Sequence, residues 1–172
     1  MRSDSIKTKR VALNGILGAF AVICLVLATV LPTNRISLYA LSSFFVAVSI
    51  IENGVKAGWI FYTATSLLTF ILVPNKLGVI PYVIFFGIYG IAKYYIEKLD
   101  KIALEYVIKF IIFNISAGIA ALTVMQLFSA SMTMALPWYV LVIALEIVFF
   151  LYDFVYTLFI KYYREKLRKW VK

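Results

Sequence analysis

Two carboxylates lie inside the last long apolar run of this chain, where a charged group is costly. Glu146 and Asp153 are flanked by apolar residues, and an ionised side chain at the centre of a membrane helix costs roughly 2.5 to 3.5 kcal/mol on insertion scales. Their spacing of seven residues is close to two helical turns, so both point to one helix face. We expect this face to bind a small solute, mainly through Glu146. The alternative is structural, with Glu146 held by buried hydroxyls and Asp153 paired with a lysine or tyrosine.

Uncharged polar and aromatic side chains complete the set of candidate ligand contacts. Asn114 lies in the middle of the fifth apolar run and Gln126 near its outer end, and such amides either bind a polar ligand or bond a neighbouring helix. Asn34 and Asn75 follow prolines in predicted outer loops, where they would line an entrance. Tyr139 is expected at the membrane boundary, where its ring either anchors the helix or stacks on a ligand.

Several classes of chemistry are disfavoured by what the sequence lacks. It has no histidine and one cysteine, Cys24, within an apolar run, which argues against a zinc site, an internal disulfide and thiol redox chemistry. It contains no glycine-rich phosphate loop, no Gly-x-Ser-x-Gly and no His-Glu-x-x-His. We therefore expect a protein that is not an enzyme and needs no cofactor or metal. Energy for uphill transport would come from a partner or an ion gradient.

Six apolar runs must position these residues. Hydrophobic residues make up 64% of the 172 residues and charged residues 15%, against about half and about a quarter in soluble domains. A membrane-spanning helix needs about 20 residues, so six helices and short loops use nearly the whole chain. The predicted fold class is all-α: one polytopic membrane domain over residues 1–172, a bundle of six transmembrane helices. The predicted spans are about 11–31, 36–51, 57–73, 77–95, 106–128 and 138–160.

Lysine and arginine predict the orientation, because cytoplasmic loops carry an excess of them. Of the 17 such residues, only Arg35 and Lys76 fall on the side opposite to both termini, so both termini should be cytoplasmic. The net charge of +9 does not indicate nucleic acid, since the basic residues flank apolar runs. The tail at residues 167–170 is expected to lie on anionic membrane lipid.

Three motifs follow one another along the chain. They are a basic start and small-residue first helix from Lys9 to Ala19, the segment IENGVKAG at residues 51–58, and FFGIYG at residues 85–90. In this order they resemble the substrate-binding S components of energy-coupling factor (ECF) vitamin transporters, over roughly residues 9 to 160. The resemblance implies a small six-helix bundle in a bacterial plasma membrane that binds one vitamin or similar micronutrient near its outer face.

The same resemblance implies partners and a docking surface. Members of this family dock through their first helices on a transmembrane coupling subunit that is driven by two ATPases. By position, Gly15 and Ala19 would belong to this surface, with Gly15 in place of the first alanine of the usual Ala-x-x-x-Ala pattern. A small-x-x-x-small pair also lets membrane helices approach closely. The implied ligand site would draw on Glu146, Asn114, Gln126 and the loops that hold Asn34 and Asn75.

Two other interpretations stay open at the level of sequence. In size and helix count the chain resembles the small MreD-type membrane proteins of bacterial cell-wall elongation, which act through protein contacts and need no small ligand. Alternatively, the chain is an ion-coupled carrier in which Glu146 and Asp153 relay protons or sodium.

Overall fold

The protein is helical throughout the part of the chain that the structure describes. This computed structural model describes residues 2–31, 33–99, 101–128 and 137–168, with the side chains of 8–31, 33–99, 101–123, 137 and 139–168. The long helices are α1 (Arg2–Val30), α2 (Arg35–Asn53), α3 (Val55–Leu72), α4 (Gly87–Ile96), α5 (Ile102–Phe128) and α6 (Trp138–Tyr162). Shorter turns are the 3-10 helices Lys76–Val79 and Glu97–Leu99 and the π-helices Tyr82–Phe86 and Tyr163–Leu167.

Six stretches are long and apolar enough to cross a membrane, which confirms the six predicted spans. They are Thr8–Val30, Arg35–Asn53, Val55–Leu72, Lys76–Leu99, Ile102–Thr123 and Tyr139–Leu167. The shortest has 18 residues, or about 27 Å of helix, close to the thickness of the hydrocarbon core. The short predicted span 36–51 becomes a helix of 19 residues, because Arg35 at one end and Glu52 and Asn53 at the other continue the helix beyond the apolar run. The chain is therefore a multi-pass membrane protein.

Contacts divide the chain into two compact units, Met1–Ile111 and Ile112–Lys172. Unit 1 contains α1 to α4 and the beginning of α5, and unit 2 contains the rest of α5 and α6. The single membrane domain expected over residues 1–172 stays a prediction. The tail expected to lie on lipid is described only as far as Arg168, so the remainder of that segment lies outside the described residues.

Unit 1 is organised around α2, which packs on α1, α3 and α4. Buried side chains from these helices form two apolar clusters. One consists of Ala21, Val46, Ile50, Phe61 and Ile91, and the other of Leu25, Ala28, Tyr39 and Tyr82. Ala21 and Ala28 are fully buried, and small side chains at these positions let α1 approach α2 closely.

Hydroxyl groups on α3 hold the irregular start of the fourth span. Pro81, which has no backbone N–H to donate, precedes the π-helix Tyr82–Phe86. The Tyr62 hydroxyl donates to the carbonyl oxygen of Val83 at 2.8 Å, within this π-helix. The Tyr82 hydroxyl lies 2.9 Å from Oγ1 of Thr65. Because a membrane offers no water to backbone groups, such bonds make irregular backbone tolerable at this depth.

Gly87 allows two aromatic rings to pack on α4, so a side chain there should destabilise the protein. A Cβ atom at Gly87 would lie 2.7 Å from the Tyr62 ring and 3.0 Å from the Tyr82 ring. We expect Gly87→Ala to lower the free energy of unfolding in detergent, followed by circular dichroism, by about 1 to 3 kcal/mol through overpacking. The control is Gly118→Ala on α5, where a Cβ meets nothing within 4 Å. It should be neutral or stabilising, because alanine is the better helix former, and equal losses at both sites would contradict the prediction.

Candidate functional site

Asn114 on α5 and Glu146 on α6 are joined by a hydrogen bond within unit 2. Asn114 Nδ2 donates to Glu146 Oε1 at 2.8 Å, and the carboxylate is partly buried. The rings of Phe113 and Phe149 stack in the same two helices, with their centroids 4.5 Å apart. Two residues that the sequence singled out as ligand contacts, 32 positions apart in the chain, are therefore neighbours in the structure.

The second oxygen of the Glu146 carboxylate has no protein partner among the described residues. Oε2 is buried and accepts no hydrogen bond there. Leaving such an acceptor unsatisfied costs about 1 to 3 kcal/mol, and more for a charged group. Asn114 therefore satisfies only one of the two carboxylate oxygens.

Asp153, the second acid of the sixth span, lies further along α6 and is buried. Its backbone carbonyl accepts a hydrogen bond from Oγ1 of Thr157 at 2.8 Å. The separation of the two acids by seven positions corresponds to about 10.5 Å along a helix. The two carboxylates therefore share a helix face, but they are too far apart to bind one small cation jointly.

The two predicted loop contacts, Asn34 and Asn75, are exposed residues of unit 1. Oδ1 of Asn75 accepts a hydrogen bond from the backbone N–H of Leu77 at 3.2 Å and caps the 3-10 helix that begins at Lys76. Asn34 precedes α2, and its side chain makes no capping hydrogen bond. Asn75 thus has a structural use in its turn, while the role of both residues as ligand contacts stays a prediction.

The remaining two predicted ligand contacts are on α5 and α6. Tyr139 is in the first turn of α6 and is 54% exposed, as either a membrane anchor or a stacking residue would be. Gln126 is in α5, but its side chain lies outside the described residues. Among the five predicted contacts whose side chains the structure describes, a hydrogen bond joins Asn114 and Glu146.

Gly15 and Ala19, the predicted docking residues, line an open groove between α1 and α3 of unit 1. The groove has a volume of about 1000 Å³, and both residues are exposed. A Cβ atom at Gly15 would meet nothing within 4 Å. Ala57 and Ala64 line the groove from α3, so small side chains are present on both walls. Their use in docking stays a prediction.

An ionic cluster in unit 1, in which two buried lysines contact an exposed glutamate, was not predicted from the sequence. Nζ of Lys93 lies 2.7 Å from Oε1 of Glu97, and Nζ of Lys109 lies 3.3 Å from the same oxygen. Both lysines are buried, although the sequence suggested only orienting charges. The spacing of Lys93 and Glu97 by four residues is a signal that could have indicated their pair. The cluster joins the end of α4 to the beginning of α5.

No family model, curated protein or solved structure matches this chain. Among the described residues, no group of three or more histidine, cysteine, aspartate or glutamate side chains is placed to hold a metal ion. The features of this chain that bear on its function are therefore the Asn114–Glu146 pair and the groove between α1 and α3.

The hydrogen bond between Asn114 and Glu146 should be measurable as an energetic coupling. A double-mutant cycle compares the free energies of unfolding in detergent of the wild type, Asn114→Ala, Glu146→Ala and the double variant. It should give a coupling energy of about 1 kcal/mol, since such bonds in membranes reach at most about 1.7 kcal/mol. The control cycle uses Thr123→Ala, because this hydroxyl donates to the carbonyl of Ile119 in its own helix. Its combination with Glu146→Ala should be additive. A coupling below about 0.3 kcal/mol for Asn114 and Glu146 would contradict the pairing.

Proposed function

We propose that this chain is the membrane-embedded substrate-binding subunit of an ECF-type uptake transporter for a vitamin or similar micronutrient. It would form a six-helix bundle in a bacterial plasma membrane, with both termini in the cytoplasm. The observation that carries the proposal is the Asn114–Glu146 pair, in which one carboxylate oxygen has a protein donor and the other has none. The chain would act as a binding module, without a catalytic step and without a cofactor.

The chemistry of this pair favours a ligand with positive charge or several N–H or O–H donors. Oε2 of Glu146 is the acceptor that such a donor would reach. Hydrogen bonds to an ionised group are roughly twice as strong as neutral ones, and low-dielectric surroundings strengthen them further. A few well-placed polar groups in an otherwise apolar site are also the usual composition of small-molecule sites.

The groove between α1 and α3 supports the second half of the proposal, which is docking on a transmembrane coupling subunit. Gly15 and Ala19 are exposed in this groove, and small residues allow the close helix contacts that drive association in membranes. The sequence has no ATP-binding motif, so two ATPase subunits bound to the coupling subunit would supply the energy.

A small ion-coupled carrier is the second candidate, because Oε2 of Glu146 could accept a proton instead of a ligand donor. The two candidates differ in what the isolated chain does in lipid vesicles. A carrier moves its solute when an ion gradient is imposed. A substrate-binding subunit binds the solute but moves none without the ATPases.

Substrate retention tests the role of Glu146. The chain purified in detergent from its native host should carry a micronutrient that mass spectrometry identifies after denaturation. Glu146→Gln keeps the shape of the side chain and removes its charge, so retention should fall about tenfold or more. Glu165→Gln, at an exposed carboxylate beyond α6, is the matched control and should retain the ligand. An empty wild-type chain that no common vitamin stabilises would contradict the proposal, and full retention by Glu146→Gln would contradict the assigned contact.

Partner capture tests the docking role of α1. Ala19→Leu places a larger side chain in the groove, so capture of the coupling subunit and ATPases by the tagged chain should fall about tenfold, while ligand retention is unchanged. Ala121→Leu makes the same change at an exposed position of α5 and should not affect capture. Recovery of cell-shape proteins in place of ATPases would contradict the proposal and favour the MreD-type interpretation.

A further inference from the structure

The groove between α1 and α3 has a polar end and an apolar body. Arg10, Asn14 and Asn53 line the polar end. The body is apolar except for Thr65, whose hydroxyl donates to the carbonyl of Phe61 in its own helix at 2.9 Å. A ligand that matches this polarity has a polar group at one end and a hydrocarbon portion along the rest.

The length of the groove corresponds to one leaflet of a membrane. Its lining on α1 extends from Arg10 to Ile23, which is about 20 Å of helix at 1.5 Å per residue. One leaflet of the hydrocarbon core is about 15 Å deep. A single lipid molecule could therefore place its headgroup at Arg10 and an acyl chain along the groove, without leaving its own leaflet.

The polar end offers one cation and one unsatisfied acceptor. Nδ2 of Asn53 donates to Oδ1 of Asn14 at 3.0 Å, and Oδ1 of Asn53 is buried without a hydrogen-bond partner among the described residues. The guanidinium of Arg10 is exposed, and its fork of N–H donors suits a phosphate. This end therefore matches a headgroup that combines a phosphate with a hydroxyl donor.

The charge around this end favours an anionic lipid over a neutral one. Among the described residues 8–14 and 52–57, Lys9 and Arg10 are adjacent on α1, Lys56 is in the first turn of α3, and Glu52 is the one acidic residue. Basic pockets between membrane helices bind anionic headgroups, and each basic residue near the surface raises the affinity about fivefold. Zwitterionic phosphatidylcholine has neither the net charge nor a hydroxyl donor.

We propose that the groove between α1 and α3 binds one anionic phospholipid with a hydroxyl-bearing headgroup, of the phosphatidylglycerol type. Its phosphate contacts Arg10, its headgroup hydroxyl donates to Oδ1 of Asn53, and one acyl chain lies along Gly15, Ala19 and Ala64. A consequence that rests on the proposed function is that this lipid covers the docking residues of the free subunit, so a partner helix must displace it.

Native mass spectrometry of the full chain in detergent tests the lipid site. The chain is titrated with phosphatidylglycerol or with phosphatidylcholine of the same acyl composition, and phosphatidylglycerol should bind at least fivefold more tightly. Arg10→Gln should weaken phosphatidylglycerol binding about fivefold, and Ala64→Leu, which fills the groove from α3, about tenfold. Matched controls are Lys101→Gln and Ala121→Leu, both at exposed positions outside the groove lining, and neither should change binding.

Equal affinity for the two lipids, or an equal loss in Arg10→Gln and Lys101→Gln, would overturn the proposal. If Ala64→Leu fails to fold, Arg10→Gln alone tests the proposal. The Arg10 side chain is exposed and belongs to neither apolar cluster of unit 1, so its replacement should not prevent folding. The titration uses the chain alone, so its failure is distinct from a failure of substrate retention or partner capture.

Discussion

Inside a membrane, no water is available to satisfy a polar group, and this constraint governs most of the structure. Helices satisfy their own backbone groups, and several threonine hydroxyls within them donate to the carbonyl one turn earlier. Thr65 donates to Phe61 and Thr69 to Thr65. Where the fourth span departs from α-helical geometry, the Tyr62 hydroxyl bonds a carbonyl of the π-helix. Because an unbonded buried polar group costs several kcal/mol in hydrocarbon, irregular backbone and its hydroxyl partners must occur together.

The same constraint makes buried polar atoms without a hydrogen-bond partner the exceptions that need an explanation. The Ser49 hydroxyl also has no partner among the described residues, but its side chain is fully enclosed, so no outside molecule reaches it. Glu146 and Asn53 differ as residues, because each is only partly buried and holds one bonded polar atom beside the unbonded one, which is itself enclosed. In both cases the first contact fixes the side chain, and the second atom is the acceptor that the proposed ligand or lipid would use.

The helices could be predicted from sequence because they depend on local composition, whereas the pairs between helices could not. Apolar run length predicted all six spans. The ion pair of Lys93 and Glu97 is also local, because the two residues are four positions apart on one helical turn. Asn114 and Glu146 were recognised as costly residues, but their hydrogen bond spans 32 positions. It depends on how α5 and α6 are rotated about their axes. A helix that is apolar all round does not encode this rotation, and the groove between α1 and α3 was missed for the same reason.

A lipid and a partner helix would compete for the groove, and different interactions would favour each of them. Apolar contact alone does not favour a helix over an acyl chain in a membrane, because both are hydrocarbon, so association depends on close packing and lipid entropy. Gly15 and Ala19 favour a rigid helix, since an acyl chain held in the groove loses conformational freedom that it regains on release. Arg10 acts in the opposite direction, because a helix that displaces the phosphate leaves the guanidinium without its anion. A partner that docks here should therefore bring a carboxylate to Arg10 or keep the lipid phosphate at the edge of the interface.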